Sequence, residues 1–213
     1  MTSSSAAASP PASGRLALVI ASGNAGKVRE FAHLLAGLGL EIRPQPEGME
    51  VKETGDTFAA NARLKASAVA RATGCWALAD DSGLSVSALG GAPGVHSARY
   101  ADSDEARIAR LLRELEGASD RTAQFTAALA VADPSGTIRL EVEGICPGLI
   151  LEEQRGDGGF GYDPVFFVPD AGLTYAEMDK QLKGRIGHRG QAFTQLAPRL
   201  QELLGAESAS QGG

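Results

Sequence analysis

The stretch LALVIASGNAGKVREFAHLLAGL, residues 16–38, decides the fold. It begins with six consecutive apolar residues, a pattern typical of a strand that is buried on both faces. Small residues then break the chain, and apolar side chains return at the spacing of one helical face, at Val28, Phe31, Leu35 and Leu38. A buried strand, a tight turn and an amphipathic helix in this order are typical of α/β proteins.

The rest of the chain continues this alternation. Apolar side chains at helical spacing predict three more helices, over residues 57–72, from about Ser103 and over residues 191–204. Apolar runs predict three more strands, over residues 75–79 and around residues 125–131 and 137–142. The last two strands flank the turn sequence DPSG, which indicates a hairpin. We therefore expect an α/β protein with a mixed sheet.

Composition excludes several classes of function. The chain has 213 residues, of which 43% are apolar and 22% charged, as in one globular domain or a compact two-lobed one. A net charge of −6 argues against a general nucleic-acid binder. No apolar run is long enough to span a membrane. Cys75 and Cys146 form no C-x-x-C pair, so we expect reduced core cysteines in a cytoplasmic protein.

The two ends of the chain differ in composition from its middle. Residues 1–14, MTSSSAAASPPASG, cannot bury enough apolar surface to become ordered. The sequence GAESASQGG, residues 205–213, has the same character. We expect a disordered segment over residues 1–14, one domain over residues 15–204 and a flexible tail over residues 205–213.

The segment SGNAGK, between the first strand and the first helix, is a candidate anion site. Backbone N–H groups at a helix N-terminus bind anions, and a lysine adds a full positive charge. The segment is not a Walker A loop, because its glycines are too close together and valine follows the lysine. Taken alone, it is equally compatible with an ordinary strand-to-helix turn. The candidate residues are Ser22, Gly23, Asn24, Ala25, Gly26 and Lys27.

Acidic and polar residues follow around the second helix and the third apolar run. Thr57, Asn61 and Lys65 share one helical face, which either lines a phosphate pocket or, as we would expect from this stripe alone, faces solvent. Glu53 is a candidate metal ligand or a surface residue. Asp80 and Asp81 stand at the predicted end of a strand.

The aspartate pair is the more informative signal. Ligands bind at the carboxyl ends of strands in open α/β sheets. Magnesium prefers carboxylate oxygens, and a carboxylate can also accept a proton from an attacking water. The alternative is an Asp-Ser-Gly turn that one aspartate caps.

Two segments in the second half offer groups for base recognition. GDGGFGYDPVF, residues 156–166, lacks the strand and helix that a dinucleotide fingerprint requires. We interpret it as a loop in which Phe160 or Tyr162 stacks on a base, while Asp163 accepts a hydrogen bond or orients a neighbour. KGRIGHRGQAF, residues 183–193, places Lys183, His188 and Arg189 just ahead of the last helix. Arg99 could contact phosphate, a second subunit or an acid.

Six segments occur together and in order: SGNAGK, ETGDTF, ADDSGL, LGGAPGVHSARYA, GFGYDPVF and HRGQA. In this combination the chain resembles the inosine triphosphate pyrophosphatase family, which includes the RdgB-like dITP/XTP pyrophosphatases. The resemblance covers residues 16–204. It implies an elongated two-lobed molecule around a long twisted mixed sheet, with the active site in the cleft between the lobes, and a homodimer.

The resemblance also implies a function. It is the Mg²⁺-dependent hydrolysis of deaminated purine nucleoside triphosphates (ITP, dITP and XTP) to the monophosphate and pyrophosphate. A pyrophosphatase for modified pyrimidine nucleotides and a non-catalytic nucleotide-binding module are the alternatives.

Site residues are carried over only at matching positions. Glu53 and Asp81 match the metal-site acids, and Asp81 also matches the general base. Lys27 and Asp80 complete the expected catalytic group, and Ser82 matches a substrate contact. Asn61 and Lys65 are expected near the phosphates. The residues expected to bind the base and its phosphates are Phe160, Gly161, Tyr162, Asp163, Lys183, His188 and Arg189.

Three positions depart from the family pattern. Ala60 and Ser87 stand where the family often has glutamate and aspartate, so we expect fewer carboxylates near the metal. Gly187 stands where the family often has serine, which removes a hydroxyl near the base.

Overall fold

The computed structural model describes residues 16–211, and the segment over residues 1–14 that was predicted to be disordered lies outside them. A mixed sheet of seven strands runs through the molecule in the order β2-β1-β3-β4-β5-β6-β7. The strands are β1 (Ala17–Ala21), β2 (Glu41–Pro44), β3 (Trp76–Val86), β4 (Thr122–Ala132), β5 (Ile138–Ile150), β6 (Phe166–Val168) and β7 (Leu173–Thr174). The helices are α1 (Ala25–Leu34), α2 (Phe58–Thr73), α3 (Asp104–Glu114), α4 (Lys180–Ile186) and α5 (His188–Gln211). The predicted α/β class with a mixed sheet is confirmed.

The buried side chains divide the molecule into two parts. Around the parallel strands, α1 and α5 cover one face of the sheet with large apolar residues, and α2 covers the other face largely with alanines. Beyond them, α3 and the ends of the long strands enclose a separate aromatic core around Phe125, Phe166 and Tyr175. This division agrees with the expected two-lobed arrangement.

The helix ends follow their sequence signals. The side chain of Thr57 caps α2 by accepting a hydrogen bond from the backbone N–H of Ala60, and Gly74 ends that helix with φ of 63°. Ser103 caps α3 in the same way through the N–H of Ala106. These helices lie where the sequence predicted them.

Strand β3 is longer than predicted, and this changes the position of the acidic pair. Asp80 and Asp81 lie inside β3, because β4 pairs with it antiparallel as far as Val86. The expectation that they end a strand was therefore wrong. The parallel neighbour β1, however, ends at Ala21, opposite Ala79. The carboxylates thus lie just beyond the carboxyl end of β1, where the edge of β3 is no longer covered by that strand.

The last helix also differs from its prediction. It begins at His188 and continues to Gln211, through most of the residues assigned to a flexible tail. Its first turn lies directly against β5, where a Cβ on Gly144 would be 2.1 Å from the carbonyl oxygen of His188 and 2.3 Å from the nitrogen of Ala192. Only glycine permits this approach, which fixes the N-terminus of α5 on the sheet. Between residues 16 and 211, no helix is long and apolar enough to cross a membrane.

Candidate active site

The turn before α1 supplies the first part of the site. Asn24 caps the helix, and its Oδ1 accepts hydrogen bonds from the backbone N–H groups of Gly26 at 2.8 Å and Lys27 at 3.2 Å. Ser22 Oγ accepts from the N–H of Asn24. The ammonium of Lys27 lies 2.7 Å from Asp80 Oδ2. The segment therefore combines a helix N-terminus, two of whose N–H groups are capped by Asn24, with a lysine that pairs with the adjacent carboxylate.

Asp80 is the centre of a buried charge cluster. Besides Lys27, its Oδ2 accepts a hydrogen bond from Ser82 Oγ at 3.0 Å and lies 3.5 Å from Arg189 Nε. Burial opposes ionisation of the carboxyl, but Lys27 and Arg189 outweigh it and hold the pKa of Asp80 far below its usual value. Arg189 is tied in turn to Glu30 on α1 at 2.9 Å and to Ser82 Oγ at 2.7 Å. Asp80 thus remains ionised and holds the cations of Lys27 and Arg189 close to it.

Asp81 lies in a different environment from its neighbour. Lys65 Nζ donates to Asp81 Oδ1 at 2.8 Å and to Glu53 Oε1 at 2.9 Å, and Asn61 Nδ2 donates to Asp81 Oδ2 at 3.2 Å. The polar face of α2 is therefore part of the site, and the solvent-facing interpretation of that stripe was wrong. Burial raises the pKa of Asp81 despite the nearby Lys65. This combination suits a group that must accept a proton.

Glu53 is held in place from two further directions. Asn61 Oδ1 accepts from the N–H of Gly55 at 2.8 Å and fixes the loop that carries the glutamate. Arg99 Nη1 donates to Glu53 Oε2 at 2.7 Å. Of the three partners considered for Arg99, the structure shows an acid.

The base-recognition loop is built around Asp163. Its Oδ2 accepts from the backbone N–H of Phe160 at 2.9 Å and from Lys183 Nζ at 2.5 Å. The ring of Phe160 is 36% exposed, and Lys183 Nζ and Arg189 Cζ lie 5.3 Å and 5.5 Å from its centre. An accessible ring flanked by two cations is suited to stack on a flat, electron-rich base.

Tyr162 does not share this exposure. Its ring is buried, and its hydroxyl donates to the carbonyl of Ser97 at 2.9 Å. Of the two aromatic residues proposed to stack on a base, only Phe160 is accessible. The next residue, Gly161, donates its N–H to Asp104 Oδ2 at 2.6 Å, which ties the loop to the start of α3.

The three basic residues near the end of the chain lie on two helices. Lys183 belongs to α4, and Gly187 ends that helix. His188 and Arg189 form the first turn of α5, so the expectation that all three precede the last helix was wrong. The His188 ring is stacked against Phe125 at 4.8 Å. Burial, reinforced by the charge of Arg189, lowers the pKa of His188 well below its usual value, so the ring is neutral.

A cavity of about 310 Å³ connects these parts. It extends from the turn before α1, past Ser82 and Gly83, to the first turn of α5 and the loop around Phe160. Ten predicted site residues lie in its wall: Asn24, Gly26, Lys27, Ser82, Phe160, Gly161, Tyr162, Asp163, His188 and Arg189. The acids Glu53, Asp80 and Asp81, with Asn61, Lys65 and Lys183, lie behind this wall, in contact with its residues or with one another. The remaining residues of the turn, Ser22, Gly23 and Ala25, flank the Asn24 cap.

Sequence reasoning missed several residues of this site. Asp104 and Arg107 line the cavity from α3, and Phe125 lines it from β4. Tyr175 lies behind His188, with their ring centres 5.8 Å apart. Only Asp104 had a usable signal, as an acid in the first turn of a helix, and that signal is explained equally well by helix capping. The others look like ordinary core or surface positions in the sequence.

The expectation that Ser87 removes a carboxylate from the neighbourhood of the metal was wrong. This residue lies six positions after Asp81 along β3, which is roughly 20 Å away at the rise of an extended strand. Its hydroxyl accepts a hydrogen bond from Thr122 instead. A serine at this position therefore removes no carboxylate from the neighbourhood of Asp81.

A Cβ on Gly187 would lie 2.5 Å from the carbonyl oxygen of Lys183, so serine there would require a shift of α4.

The acids of the site form a limited set of metal ligands. Among residues 16–205, whose side chains the structure describes, no group of three or more histidine, cysteine or acidic side chains is arranged to hold a metal ion. Glu53 and Asp81 nevertheless converge on one cation, the ammonium of Lys65. Two carboxylates suit Mg²⁺, which usually retains waters and completes its shell with substrate phosphates. The residues present fit that ion.

Comparison with known proteins shows the family to which the chain belongs. The sequence model of the Ham1 family matches residues 18–199. The chain belongs to the Ham1 family. A Ham1-family relative from Parasynechococcus marenigrum, named dITP/XTP pyrophosphatase, is 63% identical over 190 residues, which cover 89% of this chain and 97% of the relative. One from Nostoc sp. with the same name is 53% identical and covers 90% of this chain and 97% of the relative.

Solved Ham1 structures share the fold. A HAM1 protein from Coxiella burnetii superposes with a TM-score of 0.81 at 44% identity, covering 88% of this chain and 99% of that one. The Ham1 protein from Staphylococcus aureus superposes with a TM-score of 0.79 at 40% identity, covering 87% and 98%. The open mixed sheet with its covering helices is thus common to these members of the family.

Proposed function

We propose that this protein hydrolyses deaminated purine nucleoside triphosphates (ITP, dITP and XTP) to the monophosphate and pyrophosphate. The observation that carries the proposal is the convergence of Glu53 and Asp81 on one cation, beside a cavity lined by the basic turn before α1 and by the accessible ring of Phe160. The names of the Ham1 relatives support the substrate class. Hydrolysis of this kind would remove damaged precursors from the nucleotide pool.

Mg²⁺ is the proposed cofactor, held by Glu53 and Asp81. When bound, the ion would supply a fixed positive charge beside the triphosphate. Lys65 would then be released from the two acids and be free to pair with phosphate oxygens.

The protein's own groups account for the remaining chemistry. Lys27 and Arg189 would neutralise the phosphates, while Asp80 keeps both cations in position. Asp81 would accept the proton of the attacking water as the water oxygen bonds to the α-phosphorus. The bond from that phosphorus to the bridging oxygen breaks, and pyrophosphate leaves with the bonding electrons. Ser82, bonded to both Asp80 and Arg189, is positioned to contact the same phosphates.

Recognition of the base would depend on hydrogen-bond polarity. Hypoxanthine and xanthine carry an acceptor oxygen at position 6, where adenine carries an amino donor. Lys183 and Arg189 present only donors beside the exposed ring of Phe160. A buried donor facing the amino group of adenine would leave both unpaired, which can reject a substrate by several powers of ten.

Hydrolysis in H₂¹⁸O tests the position of attack. We expect the label in the phosphate of inosine monophosphate, with one unlabelled pyrophosphate per turnover, as measured by mass spectrometry. Label in pyrophosphate would mean attack at the β-phosphorus, and diphosphate plus inorganic phosphate as products would contradict the proposal altogether.

Binding of Mn²⁺, followed by its electron paramagnetic resonance signal, tests the metal site without an activity assay. We expect Glu53→Gln to weaken binding by about tenfold or more, since one of two charged ligands is lost. Glu50→Gln is the matched control, because Glu50 is exposed on the same loop. Equal affinity of the two variants would exclude Glu53 as a ligand.

The resemblance also motivates two proposals about the whole protein, which we take to be a single domain over residues 15–204. We propose a homodimer, since Leu64 and Ile145 are large apolar residues exposed at the surface. A molar mass of one chain, measured by light scattering, would contradict the homodimer.

We propose a cytoplasmic location, in keeping with the free cysteines Cys75 and Cys146.

A further inference from the structure

The buried ring of His188 has one nitrogen, Nε2, to which no residue in the described part of the chain is hydrogen-bonded. The ring lies in an aromatic stack, with interplanar angles of 16° to Phe125 and 11° to Tyr175. Among the residues that the structure describes, none forms a hydrogen bond with Nε2, although the side chain is almost wholly buried. His188 lines the cavity that would receive the base. A buried polar atom left unpaired costs stability unless a ligand completes it.

Which kind of hydrogen bond Nε2 can form depends on the other ring nitrogen. The neutral imidazole carries one proton, so one nitrogen donates and the other accepts. Nδ1 lies 3.3 Å from the hydroxyl of Tyr175. Whether Nδ1 donates or accepts in this contact therefore determines whether Nε2 offers a proton or a lone pair to the cavity.

The surroundings of Tyr175 indicate the direction of that contact. Its oxygen already accepts a hydrogen bond from the backbone N–H of His188 at 3.2 Å, so its proton needs an acceptor elsewhere. The other nearby group is the thiol of Cys146, whose sulfur is a weak acceptor and contacts the carbonyl of Pro147 at 3.8 Å. Nδ1 is the stronger acceptor. Donation from the Tyr175 hydroxyl to Nδ1 would place the ring proton on Nε2.

We propose that Tyr175 is a positioning residue that holds His188 in the tautomer with Nε2 protonated, so that the cavity presents a donor to the base and favours 6-oxo over 6-amino purines. The inference rests on the proposed function for its substrate class. Tyr175 touches no substrate in this account and acts only through His188.

Replacing Tyr175 by phenylalanine isolates the hydroxyl. The stacked ring remains, but Nδ1 loses its donor and the imidazole can take either tautomer. Nε2 can then accept a hydrogen bond from the amino group of adenine. We expect the ratio of kcat/KM for ITP to that for ATP to fall by about tenfold, the scale of one buried donor left unpaired.

The tautomer itself is measurable in the free protein by ¹⁵N NMR of labelled histidine rings. The chain has three histidines, and His33 and His96 are exposed and serve as internal references. We expect a protonated Nε2 and an unprotonated Nδ1 for His188, and a change of this pattern in Tyr175→Phe. A protonated Nδ1 in the unaltered protein would overturn the inference, whether or not the protein hydrolyses ITP.

Tyr100→Phe is the matched control for the kinetic measurement. Tyr100 is also buried and also uses its hydroxyl, in a contact with Glu114, but it does not line the cavity. We expect this variant to keep the ratio of ITP to ATP turnover. An equal change of the ratio in both variants, or an unchanged ratio in Tyr175→Phe, would overturn the role in specificity. Absence of ITP hydrolysis by the unaltered protein would instead contradict the proposed function.

Discussion

At the scale of residues, two adjacent carboxylates have opposite properties. Lys27 and Arg189 keep Asp80 ionised, whereas burial raises the pKa of Asp81. Successive side chains of a strand point to opposite faces of the sheet, so the two acids meet different helices. Asp80 faces α1 and α5, and Asp81 faces α2. Both acids pair with cations, but only Asp81, whose pKa is raised, is also suited to take a proton.

Substitution of Asp81 by asparagine tests this difference. We expect pyrophosphate release from ITP to fall by about 10²- to 10⁴-fold, the usual contribution of a general base, while ITP still binds in an equilibrium titration. Glu116→Gln changes an exposed acid remote from the site and should leave the rate unchanged. A rate for Asp81→Asn close to that of the unaltered protein would remove the acid from the mechanism.

The neutral state of His188 has a consequence for stability. Burial, with the nearby Arg189, holds its pKa well below 6.5, whereas the unfolded chain protonates this ring below about pH 6.5. The unfolded state then binds more protons, so the free energy of unfolding must decrease as the pH falls, by up to about 1.4 kcal/mol per pH unit. Urea denaturation between about pH 7.5 and 5 measures this slope.

Two variants separate His188 from the other histidines in that measurement. His188→Gln should lose the slope, and His96→Gln, which alters an exposed residue, should keep it. The same dependence on pH in both variants would show that His188 is not the group responsible.

The sequence suggested the candidate site residues but not their partners. Asn61 and Lys65 were recognisable as neighbours on one helical face, yet only the packing of α2 against β3 shows that this face meets Asp81. Phe160 and Tyr162 could not be told apart as stacking residues, because buried and exposed aromatic residues look alike in a glycine-rich segment. Tyr175 was missed because its proposed role depends on a contact 13 residues away along the chain.

At the scale of elements, the end of β1 creates the site. Since β1 stops opposite Ala79, the edge of β3 is free of that neighbour beside Asp80 and Asp81, and a ligand there can reach groups on both faces of the sheet. Periodicity predicted β1 and α1 well, because a buried strand and an amphipathic helix have distinct patterns. It could not predict the length of β3, because charged residues inside a strand interrupt the apolar run that defines it.

The contact between Asp104 on α3 and the N–H of Gly161 links another element to the site. We expect Asp104→Ala to raise KM for ITP about five- to tenfold with little change in kcat, because the loop around Phe160 loses one charge-assisted hydrogen bond. Glu105→Ala is the matched control, as it removes the same charge from the same exposed helix turn. Equal KM values for the two variants would show that the contact does not position the loop.

At the scale of the whole molecule, the two parts of the core lie beside different groups of the candidate site. In the proposed function, the part around the parallel strands would carry the groups for the phosphates and the metal, whereas the aromatic part behind Tyr162 and Tyr175 would carry the groups for the base. The α/β class was predictable, since it follows from the alternation of patterns along the chain. The cleft between the parts was expected only from the family resemblance, because its lining depends on close contacts such as that of Gly144 with the start of α5.

The central claim is that this member of the Ham1 family selects deaminated purine triphosphates. The most direct measurement is pyrophosphate release from ITP, XTP, ATP and GTP by the purified protein with Mg²⁺. We expect kcat/KM for ITP and XTP to exceed that for ATP by about 100-fold or more, with GTP also disfavoured. No pyrophosphate from ITP or XTP, or equal values for all four nucleotides, would contradict the account.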